Sequence, residues 1–305
     1  MRYSSLVAGL ASACAALTAQ APDRPHPPAA RALDRAVQRM HRSLAPQLDI
    51  WTDHSKFENA WVASSEHFTV RTTLSHGLAA DVARGLETML GHIHRTLGID
   101  TAPPRRLPVY VFATRAEYNA FGATNGDQHS SFYGSFYAAN HADRPVAAEW
   151  SDNPILAQMQ ITHSVVHQYL REAFPGVALP LWLDEGLAAY FASFWDYGWT
   201  RAEYKKDREQ GRIVPLARVL RAQLQDFALD TTPRMLELAM FCDWLLRYCP
   251  ETKSTPGADG APHGAFVDYV RALLRGDDVA RAPFRASIAD PQALVDAFDA
   301  FTFPH

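Results

Sequence analysis

The reading of this chain turns on NPILAQMQITHSVVHQYLREAFPG (residues 153–176) and LPLWLDEGLAAYF (residues 179–191). Asn153 before Pro154 is a helix start: a side chain able to cap, then a proline whose missing N–H is no loss in the first turn. Helical periodicity runs on to about Phe174, where Pro175-Gly176 stops it. A second helix is predicted over Leu181–Phe194, so a short turn folds it back antiparallel on the first. His163 and His167 are four apart, which puts both rings on one face, one turn from each other. Thirteen histidines in 305 residues give about half a pair at this spacing by chance, so the pair alone is only a hypothesis. Glu185 raises it. It stands eighteen residues beyond His167, where an antiparallel second helix returns a carboxylate to the two imidazoles. Two histidines and a glutamate are a familiar catalytic zinc set with one coordination position left open.

Toward the amino terminus the pattern changes to strand. Trp61 to Leu74 reads as extended, with HFTVRTT alternating and rich in β-branched residues. Ser75 precedes a helix whose Leu78, Val82, Leu86, Met89, Leu90, Ile93 and Leu97 form one stripe, closed by Gly98. LPVYVFA (107–113) is a buried strand, and Thr114 with Glu117 makes a capping box for a helix through Phe121. SSFYGSFYAAN (130–140) and RPVAAEW (144–150) suggest a hairpin or paired strands ending near Trp150. Beyond the central pair, helices are predicted over 200–210, 215–225, 233–248, 264–275 and 291–301, with 252–264 a glycine-proline loop. The expected class is α+β: a small sheet with a packed helix over about 60–150, then a mainly helical half over about 151–303.

Residues 1–21, MRYSSLVAGLASACAALTAQA, read as a secretory signal peptide cut near Ala19, which predicts a periplasmic or extracellular protein. Cys14 offers a rival, a lipid anchor. PDRPHPPAA (22–30) is a proline-rich tether, and Arg31 to Leu48 carries Leu33, Val37, Met40 and Leu44 at helical spacing. The domain proper is then expected over 49–305. A net charge of −4 argues against a nucleic-acid partner, which needs a concentrated cationic surface. No apolar run approaches the ~18 residues of a membrane span. Cys242 and Cys249 are seven apart on a predicted helix, about 10 Å, too far to bridge unless the helix breaks before Pro250.

At His163, His167 and the segment Trp182-Leu-Asp-Glu185-Gly-Leu-Ala-Ala-Tyr190 the chain resembles the gluzincin metallopeptidases, which carry a His-Glu-x-x-His helix and a glutamate ligand on the next helix. More loosely, about 60–300 look like a branch of secreted bacterial peptidase-like domains, in which a segment like Val214-Pro-Leu-Ala-Arg-Val-Leu follows the glutamate helix. The resemblance implies zinc held by His163, His167 and Glu185, with Asp184 orienting a histidine, and a peptide or protein as ligand. The sequence departs from the family at the general base: the residue after the first histidine is Ser164, not glutamate. Acid–base groups contribute ~10²–10⁴-fold, so this loss predicts a weak or inactive peptidase. Related domains also tend to place an oxyanion-stabilising tyrosine in the helix over 233–248. Met235-Leu-Glu-Leu-Ala-Met-Phe241 has none, and Tyr248 comes later.

Glu149, just before the zinc helix, is the candidate substitute base, while Glu172 is too far along the helix. Tyr169 and Tyr190 serve as oxyanion donors only if the fold turns them inward. His92 and His94 read as surface residues, His129 and His141 as possible cleft edges, Trp195, Tyr197 and Trp199 as a packed corner, and Lys205-Lys206 as a solvated face. The expected protein is therefore a zinc-binding, metallopeptidase-like domain lacking its base. The alternatives are an active hydrolase using Glu149 and a metal-free envelope binding protein on the same scaffold.

Overall fold

The computed structural model describes residues 53–125, 134–222, 231–257, 260–277 and 291–304. The expected signal peptide, Cys14, the tether, the 31–48 helix and His129 lie outside them. His54–His305 make up one unit. Its five-stranded sheet has the order β1-β2-β3-β5-β4: β1 (Trp61–Ser64), β2 (Phe68–Thr72), β3 (Leu107–Phe112), β4 (Ser135–Tyr137) and β5 (Val146–Glu149). The stretch expected as one strand over 61–74 is two, because the polar Ser65-Glu66-His67 turns the chain and β1 pairs antiparallel with β2. The Glu87 carboxylate pins that turn, accepting from the His67 backbone N–H at 2.6 Å and facing its Nδ1 at 2.8 Å.

β2 and β3 run parallel, which requires a crossover, and α1 (His76–Leu97) supplies it. Its apolar stripe packs on the sheet; the Ser75 hydroxyl accepts from Leu78 N–H, and Gly98 ends the helix at φ 59°. Thr114 and Glu117 form the reciprocal capping box, but α2 continues past Phe121 to Asn125. β3 and β5 are parallel, and β4 is the antiparallel edge, giving the anticipated pairing of the segments ending at Tyr137 and Glu149.

The second half is mainly helical: α3 (Pro154–Ala173), α4 (Leu181–Ala192), α5 (Tyr197–Glu209), α6 (Leu216–Val219), α7 (Thr231–Arg247), α8 (Ala265–Leu274) and α9 (Pro291–Ala300). The architecture is α+β. Three local expectations change. α4 stops before Phe194, where the Ser193 hydroxyl bonds back to the Tyr190 carbonyl and a 3₁₀ turn takes over. α6 is a single turn instead of a helix over 215–225, of which 223–225 lie outside the described residues. Within 252–264 the chain forms a small hairpin, β6 (Thr255–Pro256) with β7 (Pro262–His263), so this half is not all helix.

α3 is buried on nearly every side, packed between the β4–β5 edge of the sheet and α4. α4 is apolar almost all round, as expected of a helix enclosed by neighbours, and is wedged between α3 and α7. Gly186 permits that wedge: a Cβ there would lie 2.8 Å from Cys242 Sγ on α7. Cys242 and Cys249 are both free and buried. His92 and His94 are half-buried packing residues, not surface ones. His92 lies among Tyr190, Phe191 and Phe194, and His94 Nε2 is 3.1 Å from the Tyr169 hydroxyl. α1 is covered by helices as well as by the sheet, so its buried face is wider than one stripe.

Candidate metal centre

Local chemistry sets α3 in place first. Asn153 Oδ1 caps the backbone N–H groups of Ile155 and Leu156, and Pro154 occupies the first turn. Phe174, Pro175 and Gly176 end the helix, with Gly176 at φ 83°, and the chain turns into α4 behind Pro180. Asp184 falls in the first turn of α4, where the helix dipole favours a carboxylate. The antiparallel return brings Glu185 against His163 and His167.

The three donor atoms form a nearly equilateral triangle. His163 Nε2 to His167 Nε2 is 3.2 Å, His163 Nε2 to Glu185 Oε2 is 3.2 Å, and His167 Nε2 to Glu185 Oε2 is 3.6 Å. Bond lengths of about 2.0–2.1 Å at tetrahedral angles put ligand atoms about 3.3–3.4 Å apart. The triangle matches that spacing, so these residues can hold a metal ion, and they fit a small tetrahedral one. His167 is 8% exposed, and its Nδ1 lies 2.9 Å from Asp184 Oδ1. With Nδ1 donating to Asp184, it is Nε2 that faces the triangle, its lone pair open to a metal that displaces the Nε2 proton. Asp184 Oδ2 in turn lies 3.4 Å from Arg171 Nη2, one turn beyond His167.

Electrostatics point the same way. Burial by itself would lower the His167 pKa, but the Glu185 and Asp184 carboxylates outweigh it and hold the imidazole above its usual range. Burial would raise both carboxyls, yet the His167 charge holds Asp184 and Glu185 below the usual carboxylate range. Two carboxylates gathered around two imidazoles thus create a pocket of negative potential that a cation relieves.

Ser164 is 4% exposed and points to the edge strand, its Oγ 2.7 Å from Ser135 Oγ. The Ser135 hydroxyl donates its only proton to the Gln160 carbonyl at 2.6 Å. The Ser164 proton is therefore the one shared between the two hydroxyls, and Ser164 acts as a donor to Ser135.

The remaining candidates fall elsewhere. Glu149 is on β5, where its carboxylate is taken by Arg115 at 2.8 Å, and none of the contacts of the triangle involves it. Glu172 is buried two turns from the pair, accepting from the Tyr137 hydroxyl at 2.8 Å and paired with Arg144 and Arg105. Tyr169 does not turn inward; it donates to the Thr101 carbonyl. Tyr190 packs on His92 and Phe191, and burial pushes its phenol pKa up. Tyr248 lies past the end of α7 against Phe301 and Phe303. His141 accepts from the Asp143 N–H beside the rings of Tyr110 and Phe121, closing a turn. In the aromatic corner Trp195 donates to Thr162 and Tyr197 to Asp243, while Trp199 stays 40% exposed.

Two members of the site were not anticipated. Arg171 was within reach of the helix spacing, at i+4 from His167. Ser135 was not, since it is 29 residues from Ser164 and only the sheet edge brings it there. No family model and no curated protein matches this chain. The gluzincin likeness rests on the motif residues themselves.

Proposed function

We propose that this chain is an exported, zinc-binding, gluzincin-like domain that has lost the general base of a peptidase and hydrolyses peptides weakly or not at all. The observation that carries the reading is the donor triangle of His163, His167 and Glu185 with Ser164 beside it. Bound zinc would supply Lewis-acid polarisation of a carbonyl or of water. The chain's own residues restrict proton transfer at such a centre. A serine hydroxyl does not take up a proton near neutral pH, and that of Ser164 is already committed to Ser135. Glu149, engaged by Arg115, offers no free carboxylate in its place.

Metal analysis of the purified domain tests the first half: one equivalent of zinc supports the reading, and apo protein that ignores added zinc sinks it in favour of a metal-free binding protein. Activity tests the second half. The wild-type protein is expected to be inert on a peptide library, and Ser164→Glu to gain chelator-sensitive hydrolysis. Wild-type turnover abolished by Glu149→Gln would instead establish an active hydrolase with a non-standard base.

A further inference from the structure

A groove of about 590 Å³ lies between α5, α7 and the C-terminal segment 301–303, and it shares no residue with the His163–His167–Glu185 centre. Its volume is in the range of small-molecule sites, about 300–1,000 Å³. Tyr197, Met240 and Phe303 contribute an apolar wall, and Arg201, Lys205 and Arg208 face in from α5. Their spacing of four and three residues makes one continuous cationic strip on that helix. Like charges so placed repel each other, and the protein offsets them only in part. Among the described residues no carboxylate pairs with Arg201; its guanidinium lies over the Tyr197 and Phe303 rings, 5.5 and 5.8 Å from their centroids. Arg208 donates to the Tyr204 hydroxyl and the Asp299 carbonyl, and the Asp299 carboxylate nearby offsets part of its charge. Among the described residues Lys205 pairs with Glu209, which also lines the groove, at 3.9 Å. Asp243, which also interacts with the Arg201 charge, is hydrogen-bonded to the Tyr197 hydroxyl and Arg247.

A strip of cations offset only in part, over an apolar wall, fits a ligand with both characters. We propose that the groove binds a single-chain amphiphile with an anionic head, a carboxylate or a phosphate, the head at Arg201 and the chain along Met240 and Phe303. A bare anion would leave the wall unused, and an uncharged apolar molecule would leave the strip's remaining charge unmet.

Calorimetric titration of the full chain with laurate, dodecyl phosphate and dodecyltrimethylammonium, each below its micellar concentration, tests this. The tail is constant and the head charge reverses. One-to-one binding is expected, about tenfold or more tighter for an anionic head than for the cationic one. The tighter of the two anions identifies the head group. Arg201→Gln should weaken the anions about tenfold with an unchanged circular dichroism spectrum. His163→Ala should leave binding intact, which separates this site from the metal centre. Equal affinity for all three heads, no binding by either anion, or wild-type affinity in a folded Arg201→Gln protein would overturn the proposal. Should Arg201→Gln fail to fold, the wild-type comparison of opposite heads still decides.

Discussion

His167 is held from two sides, with Asp184 2.9 Å from Nδ1 and the Glu185 carboxylate 3.6 Å from Nε2. In the proposed zinc site one ring nitrogen would serve orientation and the other coordination. Partners of this kind are worth ~10–100-fold in metal affinity. Asp184→Asn is accordingly expected to weaken zinc binding by about that factor while the fold survives, as read by competition with a chelating indicator. Unchanged affinity would mean that Asp184 only packs against the ring. Much at this scale could be read from the chain, because Asp184 adjoins Glu185 and the two histidines share a helix face. The orientation of Ser164 could not be read, because its partner Ser135 arrives from the sheet edge.

At the scale of elements, the centre depends on how tightly α4 seats between α3 and α7. Gly186, next to the Glu185 carboxylate, lies tight against Cys242 of α7. Alanine there gains about 1 kcal/mol in helix propensity, while overpacking a dense interface costs about 1–3 kcal/mol. Cys242 is fully buried and its short side chain has little room to swing aside. Gly186→Ala should therefore lower the midpoint of denaturant unfolding and loosen zinc binding with it. A raised midpoint would show that Cys242 yields. The helix pair was legible from its caps and periodicity. The tightness of the wedge was not, since Cys242 lies 56 residues along the chain from Gly186.

For the whole molecule, α7 carries a buried acid close to the C-terminal helix. Glu237 of α7 is 1% exposed, and its Oε2 has no hydrogen-bond partner among the described residues. Burial first, then the neighbouring Asp299, pushes its pKa up to about 8, against the opposing pull of Arg208 and a hydrogen bond from Tyr204. In the unfolded chain the same group ionises near 4.5. Between those values the native state holds the extra proton, so stability falls as pH rises from about 4.5 to 8 and levels off above. Glu237→Gln should remove part of that fall. Urea midpoints at pH 5 and 8.5 for both proteins check it, and identical pH slopes would rule the role out.

The sequence by itself determined the α+β class, the caps of α1, α2 and α3, and that His163, His167 and Glu185 could meet at one point, because caps and periodicity are local and a helical hairpin is nearly so. Tertiary structure alone decided the rest. It divided 61–74 into two strands, turned Tyr169 and Tyr190 away from the centre, occupied Glu149 with Arg115 and aimed Ser164 at Ser135. All but the first of those outcomes are contacts between elements distant in the chain, and side-chain direction at such contacts is set by packing and by available hydrogen-bond partners, which no local pattern encodes.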